Sequence, residues 1–521
     1  SEPSKSVGMA VDEDLLRHEL SGMPPREFKV YPARWITLIL FGMASLMNAV
    51  IWITFAPINS ITGNFYDVND TAVNMLSVVY MIVYIPGTYL SSFLFWRVGL
   101  RWTILAANIL NVLGATLRLA SVKNNMEQNI NGYVLLLIGQ TLCGLGQPIY
   151  VNGSARIAAT WFTVEGRDIA TVIASMFNPV GTGVGQILPA LLVNSSGEGM
   201  LYLFLTELIA FGAILVLSFA FLQDMPPTPP SFTETTRQAS RQVSNINLPP
   251  EHTESMLNEF KNDLNIPALA LPRMLTLGGP RSGGSPCTCS DLKMLFSHPP
   301  FVKLCIGFGL GLAYFNTLVT VLGRQTEILG YSDDDAGLFG ALILGFGLLG
   351  CAVAGPVMDC THRYKTVLKI AATLALASVL GLVFALRPNN TVALCIVFSA
   401  QGFLLLPLLP TAFECMVECT YPMPEEVTNG TMLSIGNVLS IGTTFLWQYL
   451  INQNGDGYKG MFVPYNYLQV GMMFLALIFI YSFDGKYHRL EMDIVNSALQ
   501  PHGSDRKSTT LSPERINDAD C

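Results

Sequence analysis

Apolar stretches of about twenty residues recur twelve times along this chain, and no other feature limits its fold as tightly. In hydrocarbon every backbone N–H and C=O must be bonded within the protein. A stretch of this length meets that demand as one helix crossing about 30 Å. Spans are expected near 35–57, 73–96, 101–121, 133–153, 169–193 and 201–222. A second set follows near 300–323, 337–359, 366–386, 392–415, 430–451 and 463–483. The stretches at 133–153 and 392–415 read as the more polar, which leaves the count open by one. Only 13% of residues are charged and 51% are hydrophobic, with a mean hydropathy of +0.44. Soluble domains carry roughly 25% charged residues, so an all-α, multi-pass membrane protein is expected.

The spans fall into two sets of six. A cytoplasmic tail is expected over 1–34, an N-terminal half over 35–222, a linker over 223–299, a C-terminal half over 300–483 and a second tail over 484–521. The linker is rich in Pro, Ser and Thr (MPPTPPSFTETT). Such a composition cannot bury enough apolar surface to order itself. Two six-helix halves about a polar linker are the layout of a major-facilitator transporter.

Arg26, Lys29, Arg34, Arg97, Arg101, Arg167, Arg363, Lys365, Lys486 and Arg489 all fall on one side if both termini are cytoplasmic. The opposite loops hold few basic residues, among them Arg118, Arg324 and Arg387. Three N-x-S/T glycosylation signals, at Asn69, Asn194 and Asn389, fall on that opposite, outer side. Residues 1–30 carry no apolar signal-peptide core, so the first span is expected to direct its own insertion. Plasma membrane is the expected location, with an endolysosomal membrane as the alternative.

No Walker loop, dinucleotide fingerprint, HExxH or nucleophile elbow is present, which speaks against an enzyme and against ATP-driven transport. No cofactor, metal or nucleic-acid partner is expected, since all six His fall in loops or tails. The ten Cys form no disulfide framework. Charge inside a span is costly and therefore informative. Glu207 lies in the outer part of the sixth span, where a structural ion pair or a vestibule position suits it better than proton coupling. Arg97, Arg156, Asp359, Glu414 and Glu418 lie near the cytoplasmic face and form a candidate inner gate of ion pairs; solvated end-charges are the alternative. FLFWRVGLR and GPVMDCTHRYK follow the second and eighth spans as loosely repeated loops, and Trp96 stands where the first would carry an acid.

Trp52 lies about 7 Å inside the outer end of the first span. Asn48 is one turn below it on the same face. An amide beside an indole suits a cavity wall, whereas a lone Trp at this depth also suits an interfacial anchor. Tyr80 and Tyr84 carry the same ambiguity on the second span.

LSVVYMIVYIP (76–86), GQTLCGLGQ (139–147), RIAATWF (156–162) and AFECMVECTYP (412–422) resemble the feline leukaemia virus subgroup C receptor family, solute carrier family 49 of the major facilitator superfamily. WITFAP, FNPVG (177–181) and MPPTPPS (225–231) look closer to its major facilitator domain-containing branch. The resemblance covers about residues 30–485 and implies twelve helices and alternating-access transport. It implies choline or ethanolamine as substrate class, with haem export or import as the alternative. It also implies a site built from an aromatic on the first span, a Met on the second, Gln on the fifth, Tyr on the seventh and Gln on the eleventh. Trp52 and Met81 match. Pro179, preceded by Asn178, replaces the first Gln; Asn316 replaces the Tyr and Asn437 the second Gln. With the second aromatic exchanged for an amide, either Tyr314 or Phe315 beside Asn316 substitutes for it, their direction being open, or Asn178, Asn316 and Asn437 suit a more polar small solute equally well. The expectation is a monomeric carrier of a small organic solute. A non-transporting receptor or sensor of the same fold is the alternative from another class.

Overall fold

The computed structural model describes residues 31–127, 132–194, 196–228, 289–361, 363–420, 423, 425–453 and 464–485. The N-terminal tail up to residue 30, the linker from 229 to 288 and the C-terminal tail from 486 lie outside the described residues. The described residues form helices and no strand. In the N-terminal half these are α1 (Ala33–Ile53), α2 (Asn59–Tyr66), α3 (Asp70–Arg97), α4 (Leu100–Glu127), α5 (Gly132–Trp161), α6 (Val164–Leu192) and α7 (Met200–Phe221). A short α8 (Cys289–Phe296) precedes the C-terminal half. There follow α9 (Pro299–Glu327), α10 (Asp333–Thr361), α11 (Tyr364–Ala385), α12 (Thr391–Leu405), α13 (Leu408–Thr420), α14 (Glu425–Gln453) and α15 (Pro464–Tyr481). Taking α1 with α2 and α12 with α13 as one pass each, and leaving α8 aside, the described helices make twelve passes.

Ten of these passes are apolar enough to cross a membrane on hydropathy alone. The two that are not are α6 and α14, whereas Thr391–Thr420, expected to be among the more polar, is among the ten. The reason is position. Helix α6 packs on α10 and α14 packs on α3 and α5 across the interface between the halves. Thr182 and Gln186 of α6 and Asn437, Ser440, Thr444 and Gln448 of α14 are buried against protein, so lipid does not penalise them.

Two passes are interrupted at proline. Pro57 has no N–H for the carbonyl of Ile53, which instead accepts from Ala56 N at 2.9 Å as the helix ends. The freed carbonyl of Ile51 accepts from Gln140 Nε2 at 3.0 Å. Pro407 separates α12 from α13 in the same way. Elsewhere glycines let helices touch through backbone: a Cβ on Gly181 would stand 2.1 Å from the Leu46 carbonyl, and one on Gly402 1.8 Å from that of Ile343.

Passes alternate in direction, so Asn69, Asn194 and Asn389 share one end of the molecule, the sequon end. Arg97, Arg101 and Arg363 share the other, the basic end.

Candidate functional site

A cavity of about 150 Å³ lies where the halves meet. Trp52, in the last turn of α1, forms part of its wall. The indole N–H donates to the Ser77 carbonyl at 3.2 Å, and Ser77 Oγ donates to the Trp52 carbonyl at 3.4 Å. This reciprocal pair fastens α1 to α3 and fixes the ring. One turn beyond Ser77, Met81 lines the cavity, and Tyr84 follows, its hydroxyl donating to Asn152 Oδ1 at 2.8 Å. Helix α6 adds Asn178, Pro179 and Thr182. From the other half come Phe308, Phe315 and Asn316 of α9 and Asn437 of α14. Asn316 Nδ2 donates to Asn437 Oδ1 at 3.4 Å and Ser440 Oγ at 3.2 Å. That spends the amide's donors on neighbouring groups, so its oxygen is the part left for a guest.

Trp52, Met81, Asn178, Asn316 and Asn437 therefore meet in one place. Asn48 and Tyr80 do not line it. Asn48 is fully buried and donates to Asn111 Oδ1 and the Cys143 carbonyl, both at 2.9 Å. Asn111 continues to Tyr150 and Asn108, so Asn48 belongs to a polar tie between α1, α4 and α5. Tyr80 is also fully buried, its ring packed where Gly144 of α5 leaves room. One residue from Met81 is about 100° around the helix, which turns Tyr80 into the half and Met81 toward the cavity.

Sequence reasoning missed Gln147, Thr182 and Phe308, and left Tyr84 and Phe315 undecided. Gln147 was detectable: it closes the GQTLCGLGQ stretch two turns from Gln140, on the same side of α5. Phe315 supplies the second aromatic wall that Asn316 does not, while Tyr314 turns into the C-terminal core, 6.0 Å from Trp447 ring to ring. No acidic or basic side chain lines the cavity. Among the described residues no group of three His, Cys, Asp or Glu is arranged to hold a metal.

The charge at membrane depth lies elsewhere. Arg118, read from the sequence as a loop residue, is fully buried and pairs with Glu207 at 2.9 Å. Thr54, in the interruption of the first pass, donates to Glu207 Oε1 at 2.9 Å. The guanidinium sits over the rings of Phe55 and Phe204, 5.2 and 4.7 Å from their centroids. Glu207 is thus spent on an ion pair that braces the first-pass break two residues beyond Trp52.

Of the candidate inner gate, Arg97 is exposed, Arg156 and Glu418 are buried and Glu414 is half-buried. Arg156, Glu414 and Glu418 all have interaction partners. Asp359 stands in the last turn of α10, and its side chain lies outside the described residues. Charged contacts bridge the halves at the sequon end. Arg324 of α9 meets Asp70 of α3 at 3.4 Å and Glu327 at 2.9 Å, and Ser60 of α2 donates to Glu327 at 3.2 Å. Beside them Asn59 donates to Asn74, and Asn74 to Gln448 of α14, both at 2.9 Å. Asn69, Asn194 and Asn389 are exposed at this end. Asn69 also caps α3, accepting from Ala72 N at 2.9 Å.

The model of the Major Facilitator Superfamily matches residues 37–445. The chain belongs to the major facilitator superfamily. It is 28% identical over 490 residues to Solute carrier family 49 member A3 of Xenopus tropicalis, covering 91% of this chain and 92% of that one. It is 26% identical to Choline/ethanolamine transporter FLVCR2 of Homo sapiens, covering 94% and 85%, and 27% identical to Choline/ethanolamine transporter flvcr2a of Danio rerio, covering 86% and 87%. The resemblance to solute carrier family 49 is borne out. A solved structure of a double Trp mutant of XylE superposes with a TM-score of 0.61 over 88% of this chain at 17% identity, a likeness of fold. This superfamily member is a multi-pass integral membrane protein.

Proposed function

We propose that this superfamily member carries a small organic amine of the choline or ethanolamine class across the bilayer by alternating access. The observation that carries this reading is the chemistry of the central cavity: Trp52, Tyr84 and Phe315 beside Gln147, Asn178, Asn316 and Asn437, with no formal charge in the lining. A quaternary ammonium has no N–H to donate and is held by aromatic faces, each worth about 0.5–2 kcal/mol. A primary ammonium is served by the amide oxygens. The absence of a lining carboxylate suits a carrier that releases a cation as readily as it binds one.

Size supports the same class. A porphyrin is several times larger than a cavity near 150 Å³. Haem therefore suits it poorly. The names of the relatives that share this fold point to the same amines. The reading places a monomer in the plasma membrane, with both termini cytoplasmic and the sequon end outside. Asn69, Asn194 and Asn389 are its candidate glycan sites.

Uptake of radiolabelled choline, ethanolamine, pyridoxine and haem into proteoliposomes tests the reading. Choline and ethanolamine should be accumulated, and Trp52→Ala should raise the choline KM about 10-fold or more, as loss of roughly 1.4 kcal/mol per decade requires. Binding of choline without flux would make the protein a receptor. Indifference of choline binding to Trp52→Ala would return the residue to a packing role.

A further inference from the structure

The central cavity continues past its polar groups into the C-terminal half. There it forms an arm between α9, α11, α13 and α15, walled by Phe308, Leu312, Leu368, Ala372, Met473 and Leu477. All six are apolar, and Leu368, Ala372 and Met473 are almost wholly buried. The arm is open beside α9 because Gly311 lies there: a Cβ built on it meets nothing within 4 Å. Gly307, one turn away, is different, since its Cβ would press on Ile480 and Phe479 at 3.0 and 3.1 Å. The arm starts about 7 Å along α9 from Asn316, five residues away. Helix α15 flanks it from Met473 to Ile480, about 10 Å of helix.

The space is thus divided by chemistry. At the junction of the halves stand rings and amides; in the arm stand only hydrocarbon, thioether and glycine. Water in such an arm would find almost no hydrogen-bond partners, and apolar cavities of this kind stay dry and accept apolar guests. A bare choline head fills the polar end and leaves the arm unused.

We propose that the cavity is built for amphiphilic amines, with the cationic head between Trp52 and the amides and an alkyl or aryl substituent in the arm. The proposal rests on the amine reading and narrows it to substituted amines. Each methylene moved from water into the arm should tighten binding about fourfold, from about 0.8 kcal/mol per CH₂, until the arm is full.

The test is competition against labelled choline uptake in proteoliposomes. The competitors are tetramethylammonium and then ethyl-, butyl- and hexyltrimethylammonium, with hexylsulfonate as a control for membrane effects. The half-inhibitory concentration should fall severalfold at each step, and hexylsulfonate should not compete. Gly311→Leu, which places a side chain in the open arm, should flatten the series to less than twofold from ethyl to hexyl. Ala372→Leu narrows the arm from α11 and should flatten it too, which guards against a folding defect in one variant. If choline is carried but chain length has no effect in the unaltered protein, this proposal fails and the amine reading stands. If Gly311→Leu slows choline release in single turnovers while the length dependence persists, the space is an exit route and the proposal fails. If neither choline nor any amine is bound or carried, both readings fall.

Discussion

Trp52 is gripped at both its indole nitrogen and its own carbonyl by Ser77, so the ring is a fixed wall. That separates two substitutions. Trp52→Phe keeps a ring face and the backbone bond from Ser77 Oγ but loses the indole bond to the Ser77 carbonyl, and should raise the choline KM by no more than about fivefold. Trp52→Ala loses the face and should cost more, the ordering being read from transport kinetics. The Arg118–Glu207 pair makes a different prediction. Glu207→Gln leaves a fully buried guanidinium without its counter-charge, which costs about 3–5 kcal/mol. Thermal unfolding of the purified protein should show a large loss, and Arg118→Met with Glu207→Leu should recover most of it. A double variant as unstable as the single one would mean that the ring contacts of Arg118 matter more than its charge. At this scale Trp52 and Met81 were legible through the family resemblance, since helical spacing alone left Trp52 between cavity wall and interfacial anchor and paired it with Asn48, which does not line the cavity. The sequence misled at Tyr80 because a neighbour in sequence lies on another face. It hid Arg118 because a charge paired inside a half looks, along the chain, like a charge in a loop.

Element positions were legible because lipid demands long apolar runs. Which helices face lipid was not, since hydropathy records the average of a helix and not its faces. Helices α6 and α14 score low because one side of each lines the interface. The two interruptions were also missed. Pro86, Pro148 and Pro179 sit within helices that continue, so proline alone did not distinguish Pro57 and Pro407. Backbone contact gives the sharpest element-scale prediction. Gly402→Val would drive a side chain into the Ile343 carbonyl on α10, where the facing atom is backbone and cannot rotate away. It should lower the yield of folded protein and its unfolding temperature, since overpacking a well-filled site costs about 1–3 kcal/mol or more. Gly212→Val on α7 meets nothing within 4 Å and serves as the matched control; it should be tolerated. Equal damage from both would locate the cost in helix propensity and not in the α10–α12 contact.

For the whole molecule the question is what holds the halves together at the sequon end. Two kinds of contact do so side by side. In the Arg324–Asp70 and Ser60–Glu327 contacts the charged side chains are a quarter or more exposed, and pairs of that kind are worth about 0.2–1 kcal/mol. The Asn74–Gln448 bond is buried, and removing one partner strands a buried amide at about 1–3 kcal/mol. If alternating access opens this end, the two should act on the same equilibrium with different signatures. A cysteine placed at Thr182 in the cavity, labelled by a membrane-impermeant thiol reagent from the sequon side, reports the opening above the background of the same protein without it. Asp70→Asn should speed labelling by up to about fivefold at low salt. That effect should fade toward 1 M salt, where the screening length is about 3 Å. Asn74→Leu should speed it by more, and salt should not erase the gain, because a buried bond is hardly screened. If Asp70→Asn changes nothing at low salt while Asn74→Leu does, the charged contacts follow closure without causing it. If neither changes the rate, closure rests on the packing of α3 against α14, and the polar contacts only decorate it.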